Sequence, residues 1–214
     1  MKKSVTRIAS LVTAFCAVVA LHAGAQEKIS TVVNENFQNA EKVNAEWKLN
    51  KRNTKWVDGR FIVAELGGAV MKSALPDSFT LTLEITPEPP KDLEKAKQGW
   101  TGCAVGSTIF LFTPTAKNSA RAVYTNEDGK RRSKGVVRGG DLGELGVGKV
   151  VKYQITRTRN MADKEDTYVF TVNGVSCGTF ETPVPADPKN DCLQLTSFRW
   201  SSQYNNLVIT PAKK

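Results

Sequence analysis

The chain has 214 residues, a net charge of +9 and a single histidine, His22. A basic start, an apolar run over residues 8–21 and small residues at 23–25 are typical of a secretory signal peptide, which we predict over residues 1–25. The expected mature chain, residues 26–214, then contains no histidine, and this excludes a Ser-His-Asp triad, a Cys-His pair and a histidine-ligated metal. We predict neither a metal nor another cofactor.

Cleavage removes three of the 30 basic residues and none of the 21 acidic ones, which leaves a net charge of +6. This charge permits binding to anionic glycans, whereas no basic helical stripe or motif indicates nucleic acid. No later stretch is apolar enough for a transmembrane segment. We therefore expect an exported protein, periplasmic or extracellular, with a single domain over residues 26–214. An uncleaved membrane anchor is the alternative.

The predicted elements in the first half of the chain are strands. Residues 34–37 form a candidate opening strand, and Asp58-Gly59 lies between two short apolar runs, as in a tight hairpin. From residue 78 to 86 apolar and polar residues alternate, with Glu84 on the polar side, which is typical of a half-buried strand. Only residues 91–98 favour a helix.

The second half continues the pattern. Asp128-Gly129 and Asn173-Gly174 predict two further hairpins, and residues 151–156 alternate again. The closing run at residues 207–210 is expected to pair with the opening strand. So many short strands in one domain predict an all-β fold of two packed antiparallel sheets.

Three groups of segments carry a family resemblance. They are residues 36–37 with Trp47 and 56–63, residues 77–84, and residues 170–174 with 193–195 and 206–209. Together these resemble the concanavalin A-like lectin/glucanase superfamily, nearest to laminin-G-like jelly rolls and secreted 3-keto-disaccharide hydrolase-like domains. The resemblance implies a jelly-roll sandwich and makes Trp47 and Trp56 structural. The strand around Gln194 lacks the histidine that usually follows the glutamine in the hydrolase-like domains, and no laminarinase-type Glu-x-Asp-x-x-Glu run is present, so both departures count against catalysis.

Aromatic and amide side chains supply the candidate ligand-binding residues. A sugar stacks its apolar face on an aromatic ring, while amides bond its hydroxyl groups. The candidates are Trp100, Tyr124, Gln194 and Trp200. Trp200 shares one strand face with Gln194, Thr196 and Phe198 if the alternation continues, and the alternative is that Phe198 and Trp200 belong to the core.

Charged residues give two further candidates. Glu84 is a weak catalytic candidate, because glycoside cleavage normally needs two carboxylates and no second one is indicated; a solvated Glu84 is the alternative. The basic hairpin contains Lys130, Arg131, Arg132 and Lys134, with Arg138 nearby. It is a candidate patch for anionic ligands or, alternatively, a solvated edge that opposes aggregation. The acidic run Asp163, Glu165 and Asp166 matches no calcium motif and is expected to be a solvated turn.

Cys103, Cys177 and Cys192 are expected to remain in the exported chain. Export favours one disulfide and one free thiol. We predict Cys177–Cys192, because the two residues fall on consecutive predicted strands, and Cys103–Cys192 is the alternative.

Three functions stay open on the sequence. The leading hypothesis is a non-catalytic, lectin-like module that binds carbohydrate, including anionic carbohydrate, at the cell envelope or outside the cell. The second is a glycan-processing hydrolase related to the 3-keto-disaccharide group and dependent on carboxylates. The third is a structural or adhesive envelope protein that binds other proteins through sheet edges or loops.

Overall fold

The computed structural model describes residues 33–136 and 140–212. The predicted signal peptide and Arg138 lie outside these described residues. Within them, no helix is both long and apolar enough to cross a membrane. The described residues form two antiparallel sheets, which confirms the predicted all-β, two-sheet sandwich.

Sheet A has eight strands, seven of them in the order β13-β12-β11-β6-β15-β4-β3, while β1 pairs with β15. The strands are β1 (Val33–Glu35), β3 (Thr54–Val57), β4 (Arg60–Val63), β6 (Phe79–Pro87), β11 (Val151–Asn160), β12 (Glu165–Val172), β13 (Val175–Pro183) and β15 (Ser202–Pro211).

Sheet B has seven strands in the order β10-β9-β8-β7-β14-β5-β2. The strands are β2 (Trp47–Leu49), β5 (Gly68–Met71), β7 (Trp100–Val105), β8 (Thr108–Phe112), β9 (Arg121–Thr125), β10 (Arg131–Gly135) and β14 (Leu193–Phe198). The two sheets share one core, because apolar residues alternate inward along the strands of both.

The predicted alternation in β6 and β11 is confirmed. In β6 the side chains of Phe79, Leu81, Leu83 and Ile85 are buried, while Thr82 between them is exposed. In β11 every second residue from Val151 to Arg157 is buried. A period of two is what a strand shows when one of its faces covers a core and the other meets water.

The three predicted hairpins are confirmed. Asp58-Gly59 joins β3 to β4, and both turn residues have positive φ, at 51° and 73°. Asn173-Gly174 joins β12 to β13 in the same way, with φ of 50° and 79°. Such left-handed turns suit the twist of antiparallel strands and favour Asn, Asp and Gly. Asp128-Gly129 lies in the connection of β9 to β10.

The predicted pairing of the opening and closing strands is confirmed. Val33 of β1 lies opposite Ile209 of β15, and Glu35 lies opposite Leu207. The Glu35 carboxylate is buried, receives the Phe37 amide at 2.7 Å and lies 3.0 Å from the Lys42 ammonium.

Two short helices interrupt the strands. α1 (Ala40–Glu46) was not predicted; Asn39 caps it by accepting the amide of Lys42 at 3.0 Å. The predicted helical stretch at 91–98 contains α2 (Leu93–Ala96), which Asp92 caps. Both begin at Asx residues because these side chains accept amides that a helix start leaves without partners.

A buried ion-pair network joins β11 and β12 to Asp191, in the segment that precedes β14. Arg159 holds Asp166 through two hydrogen bonds of 2.7 Å, and its other nitrogen lies 2.9 Å from Asp191. The Arg157 guanidinium is fully buried, contacts Asp191 and stacks 4.7 Å from the Phe79 ring. The hydrogen bonds that Arg159 donates to the Asp166 carboxylate raise the pKa of Arg159. The acidic run is therefore not a simple solvated turn, because Asp166 lies inside the protein.

Candidate functional site

The outer face of sheet B carries the strongest candidate site. Along β14, Leu193 and Leu195 point into the core, so Gln194, Thr196 and Phe198 point outward and are half-buried. Trp100 begins β7 directly opposite Phe198, and it also faces outward. Their ring centroids are 6.2 Å apart, with 31° between the ring planes. Strand alternation thus assembles an aromatic pair beside an amide.

Small residues around these side chains leave room for a ligand. A groove of about 510 Å³ runs over β2, β5, β14 and β7, and it is lined by Lys48, Leu49, Asn50, Leu66, Gly67, Gly68, Val70, Trp100, Gln194, Thr196, Ser197 and Phe198. A Cβ at Gly68 would lie only 2.9 Å from Gln194 Nε2, so the glycine keeps the space above β5 open. Leu66, which is 68% exposed, stands at the rim.

Two polar side chains of the groove, Gln194 and Lys48, are free to bind a ligand. Among the described residues, the Gln194 amide makes no hydrogen bond to another protein group. Lys48 is exposed and forms no ion pair within residues 33–136 and 140–212. No Asp, Glu, His or Cys is among the lining residues. The groove therefore offers stacking, amide and hydroxyl bonding and one positive charge, but no carboxylate for acid–base chemistry.

Of the four predicted ligand-binding residues, the structure brings Trp100 and Gln194 together in this groove. Their role in binding stays a prediction. Thr196 and Phe198 complete the same surface. The alternation predicted that both share the face of Gln194, and the half-buried, outward-facing Phe198 is not in the core as the alternative had it.

The prediction for Trp200 is wrong, because its ring is fully buried. Arg199 adopts a positive φ of 59°, which breaks the alternation after Phe198 and turns Trp200 to the inside. There the indole Nε1 donates to the Ala96 carbonyl at 2.9 Å, and the Ser197 hydroxyl bonds the Trp200 carbonyl. Trp200 thus holds the helical segment against the sandwich and cannot stack on a sugar.

Tyr124 also lies away from the groove. Its neighbour Ala122 is buried in the core, and Tyr124 points to that same inner side of β9. The ring stacks on Phe180 of sheet A, with centroids 4.4 Å apart. The predicted platform at Tyr124 is therefore corrected to a contact between the two sheets.

Glu84 lies on the outer face of sheet A, on the opposite side of the sandwich. Its carboxylate accepts the Asn206 amide at 2.8 Å and lies 3.6 Å from the Lys152 ammonium. Among the described residues that line the surrounding depression, no second carboxylate accompanies it. The arrangement provides one neutralised acid rather than the pair that glycoside cleavage uses.

The basic hairpin lies at the far edge of sheet B. Lys130, Arg131, Arg132 and Lys134 are all exposed, and among the described strands β10 pairs with β9 alone. Four strand spacings separate β10 from β14, a distance of roughly 19 Å. The hairpin is therefore separate from the groove, and its anion-binding role stays a prediction.

A second basic region was missed in the sequence. Five cations and a single acid, Asp58, fall within residues 48–60, a bias that could have indicated it. These cations are Lys48, Lys51, Arg52, Lys55 and Arg60. They lie on β2, β3, β4 and the connecting turns, where the edges of the two sheets meet.

The three cysteines of the described residues are free thiols, so the predicted Cys177–Cys192 disulfide is absent. Cys177 lies on β13 at the edge of sheet A, whereas Cys192 directly precedes β14 inside sheet B. These two strands follow each other in the chain but belong to different sheets. Burial raises the pKa of the Cys177 thiol to about 11 and also raises the pKa of Cys103. The described residues contain no group of three potential metal-binding His, Cys, Asp or Glu side chains.

Neither a protein-family model nor a curated protein matches the chain in sequence. Solved structures do match in three dimensions. One comes from work on endo-acting O-glycanases with which prominent members of the human gut microbiota initiate mucin breakdown; its TM-score is 0.55 at 14% identity, with 86% of this chain and 100% of that chain covered.

Two other similar structures differ in activity. An alginate lyase, Aly36B, in complex with alginate trisaccharide has a TM-score of 0.53 at 11% identity, covering 86% of this chain and 100% of its own. The receptor binding domain of botulinum neurotoxin type G has a TM-score of 0.54 at 11% identity and is matched over 48% of its length, against 86% of this chain. At such identities these likenesses show the fold, which is the predicted concanavalin A-like jelly-roll sandwich.

Proposed function

We propose that this protein is an exported carbohydrate-binding module whose sugar site is the groove on the outer face of sheet B. The observation that carries the proposal is the half-buried Trp100–Phe198 pair beside the unbonded amide of Gln194. An exposed aromatic surface next to free polar groups matches the two faces of a sugar ring, one apolar and one rich in hydroxyl groups. Carbohydrate-active enzymes and a receptor binding domain share the fold, which supports this class of ligand.

We propose further that the groove binds without catalysing. General acid–base chemistry on a glycosidic bond needs carboxylates or an equivalent pair of titrating groups. The lining residues include no carboxylate, and Glu84 lies on the other face of the sandwich. Binding of acidic sugars is supported by Lys48 at the groove and by the net positive charge of the chain.

A glycan array followed by calorimetry on the strongest binder tests the proposal. Trp100→Ala should weaken binding about tenfold or more, because it removes the stacking surface, whereas Trp100→Phe should retain most of the affinity. Gln194→Ala should weaken binding by a similar factor, while Gln154→Ala on the outer face of sheet A serves as the matched amide control and should bind normally. No binding on the array, or equal loss in the control, would remove the groove as a sugar site.

A further inference from the structure

A second cavity lies around the sheet edge from the groove, on the outer face of sheet A. It has a volume of about 500 Å³ and is lined by Arg52, Asn53, Lys55, Val57, Arg60, Ile62, Ala64, Glu65, Glu88, Pro89, Pro90, Lys91 and Ser201. We call it the basic pocket. Its floor is the β3–β4 hairpin, and its wall is the segment at residues 88–91 that follows β6.

Strand alternation gives the basic pocket an apolar floor under a charged rim. Phe61 and Val63 point into the core, so Arg60 and Ile62 point outward. Ile62 is only 4% exposed although it faces away from the core, which places it deep in the pocket. The two consecutive prolines at 89–90 stiffen the facing wall, because each fixes its own φ. Such a floor suits the apolar face of a ring.

The charges of the rim are unbalanced. Arg52, Lys55, Arg60 and Lys91 line the pocket, against the two acids Glu65 and Glu88. Arg60 lies 3.4 Å from Glu88 and 3.8 Å from Asp58, so neither contact has a short, well-formed geometry. Arg52, Lys55 and Lys91 form no ion pair within the described part of the chain. Three cations are therefore unpaired in that part of the chain, and Arg60, whose contacts to Glu88 and Asp58 are long, is a fourth that can turn to an incoming anion.

The basic pocket and the groove share one ridge. Residues 50–53 and 64–68 form two turns that are bonded to each other, since Asn50 donates to the Gly68 carbonyl at 3.0 Å and Ala64 donates to the Asn53 carbonyl at 2.6 Å. Asn50 and Gly68 line the groove, whereas Asn53 and Ala64 line the basic pocket. Two ligand-sized cavities thus lie on either side of a single hydrogen-bonded rim.

We propose that the basic pocket is a second ligand site, which binds a sugar carrying a carboxylate or sulfate group. The anion contacts Lys55 and Arg60, and the ring lies over the apolar floor at Ile62. The choice of a sugar as the ligand body rests on the proposed function, whereas the anion requirement rests on the charges of the pocket itself. Guanidinium and ammonium groups bind carboxylate and sulfate oxygens through charge-assisted hydrogen bonds.

A paired NMR titration of the ¹⁵N-labelled full chain tests this inference. D-glucuronate is the probe, and D-glucose is its neutral match with the same ring. Glucuronate should shift the amide signals of residues 55–62 and of Glu88, and high salt should weaken this effect because it screens exposed charges. Glucose should leave those signals in place. Equal shifts with both sugars, or glucuronate shifts confined to residues 130–135, would overturn the inference.

Variants locate the anion contact. Lys55→Gln and Arg60→Gln should each weaken glucuronate binding at the pocket about tenfold, because each removes a charge-assisted hydrogen bond. Lys130→Gln on the distant hairpin is the matched control and should leave the binding unchanged. If Lys130→Gln weakened glucuronate binding as much as Lys55→Gln, the loss would be due to the lower net charge of the protein. That result would contradict a specific anion site in the basic pocket.

The same titration separates the two proposals. Trp100→Ala should leave the glucuronate shifts at residues 55–62 intact, because Trp100 lines the groove and not the basic pocket. If sugars perturb the groove alone, the proposed function survives and the basic pocket is excluded. If glucuronate perturbs the pocket while no sugar perturbs the groove, the anion site stands and the groove proposal falls.

Discussion

The two outer faces of this sandwich are built from different side chains. The face of sheet A is polar, and its groups bond one another: the hydroxyls of Thr80 and Thr156 are 3.2 Å apart, and Glu84 is held by Asn206 and Lys152. The face of sheet B carries Trp100 and Phe198 together with a transverse row of four aliphatic residues and one amide, namely Val70, Gln194, Ala104, Ile109 and Val123.

The difference shows how the ligand-binding face of a two-sheet sandwich can be told from the other outer face. Sheet A follows the usual pattern of an antiparallel sheet, with one face packed and the other solvated. Sheet B leaves apolar and aromatic groups half-buried on a face that no other described layer covers, and contiguous apolar surface of this kind marks interaction sites. Away from the basic pocket, the polar groups on the face of sheet A have partners, whereas Gln194 and Lys48 on the face of sheet B lack them and are free to bind a ligand.

The largest expected effect would come from the ion-pair network beneath sheet A. Asp166→Ala leaves Arg159 and Arg157 with Asp191 alone of the two acids that they share, and it should lower the free energy of unfolding by about 3–5 kcal/mol. Urea unfolding measures this change. Asp163→Ala, in the adjacent exposed turn, should change stability by less than about 0.5 kcal/mol. If the two variants are equally stable, the buried pair does not anchor sheet A as the structure indicates.

The next effect concerns the open floor of the groove on sheet B. Gly68→Val places side-chain atoms against the Gln194 amide, because even a Cβ would lie 2.9 Å from Nε2. Sugar affinity should fall roughly ten- to a hundredfold, in line with overpacking costs of about 1–3 kcal/mol. Calorimetry with the best glycan from the array gives the value. Thr82→Val puts a valine on the face of sheet A without adding volume, and it should leave the affinity as it was.

Between the two faces, burial raises the pKa of the Cys177 thiol from 9.0 to about 11. The folded protein therefore keeps this thiol protonated at a pH where the unfolded chain releases the proton. The stabilisation by the neutral thiol is complete below about pH 9 and is lost as the pH rises toward 11. The melting temperature of the native chain relative to Cys177→Ala should thus decline between these values. A constant difference over that range would show that the thiol is not shielded.

The smallest expected effects come from two outward-facing substitutions that barely change stability. They should nevertheless differ in glycan binding, according to the sheet on which they lie. Val169→Thr on sheet A and Ile109→Thr on sheet B replace outward-facing residues and should each change the free energy of unfolding by less than about 0.5 kcal/mol. Only Ile109→Thr should alter binding of longer glycans, by about twofold to threefold, because Ile109 continues the apolar row beyond Gln194. Equal binding by both variants would restrict the ligand to the groove itself.

Local patterns predicted the fold well, because each depends on neighbouring residues alone. The alternation in β6 and the Asn173-Gly174 turn follow from strand geometry and from the tolerance of Asn and Gly for positive φ. Trp100 and Gln194 could be selected because both stand on regular strands with outward parity.

What failed depends on contacts between distant parts of the chain. A single left-handed residue, Arg199, reversed the facing of Trp200, and no local signal marks an arginine for that conformation. The Cys177–Cys192 prediction assumed that successive strands are neighbours, but here they belong to different sheets. In the sequence Arg157 resembles an exposed charged residue. Only the fold brings Asp166 and Asp191 to it and makes its burial possible.

The pairing of β1 with β15 makes this sandwich a good candidate for circular permutation. Val33 of β1 lies opposite Ile209 of β15, and Pro211 is only two residues beyond Ile209. Val33 and Pro211 are therefore close together. A short flexible linker could join them, and new ends could be cut at the exposed turn around Met161, which is 63% exposed. Such a permutant would keep every described strand of both sheets and the groove, while its chain ends would lie at the turn around Met161.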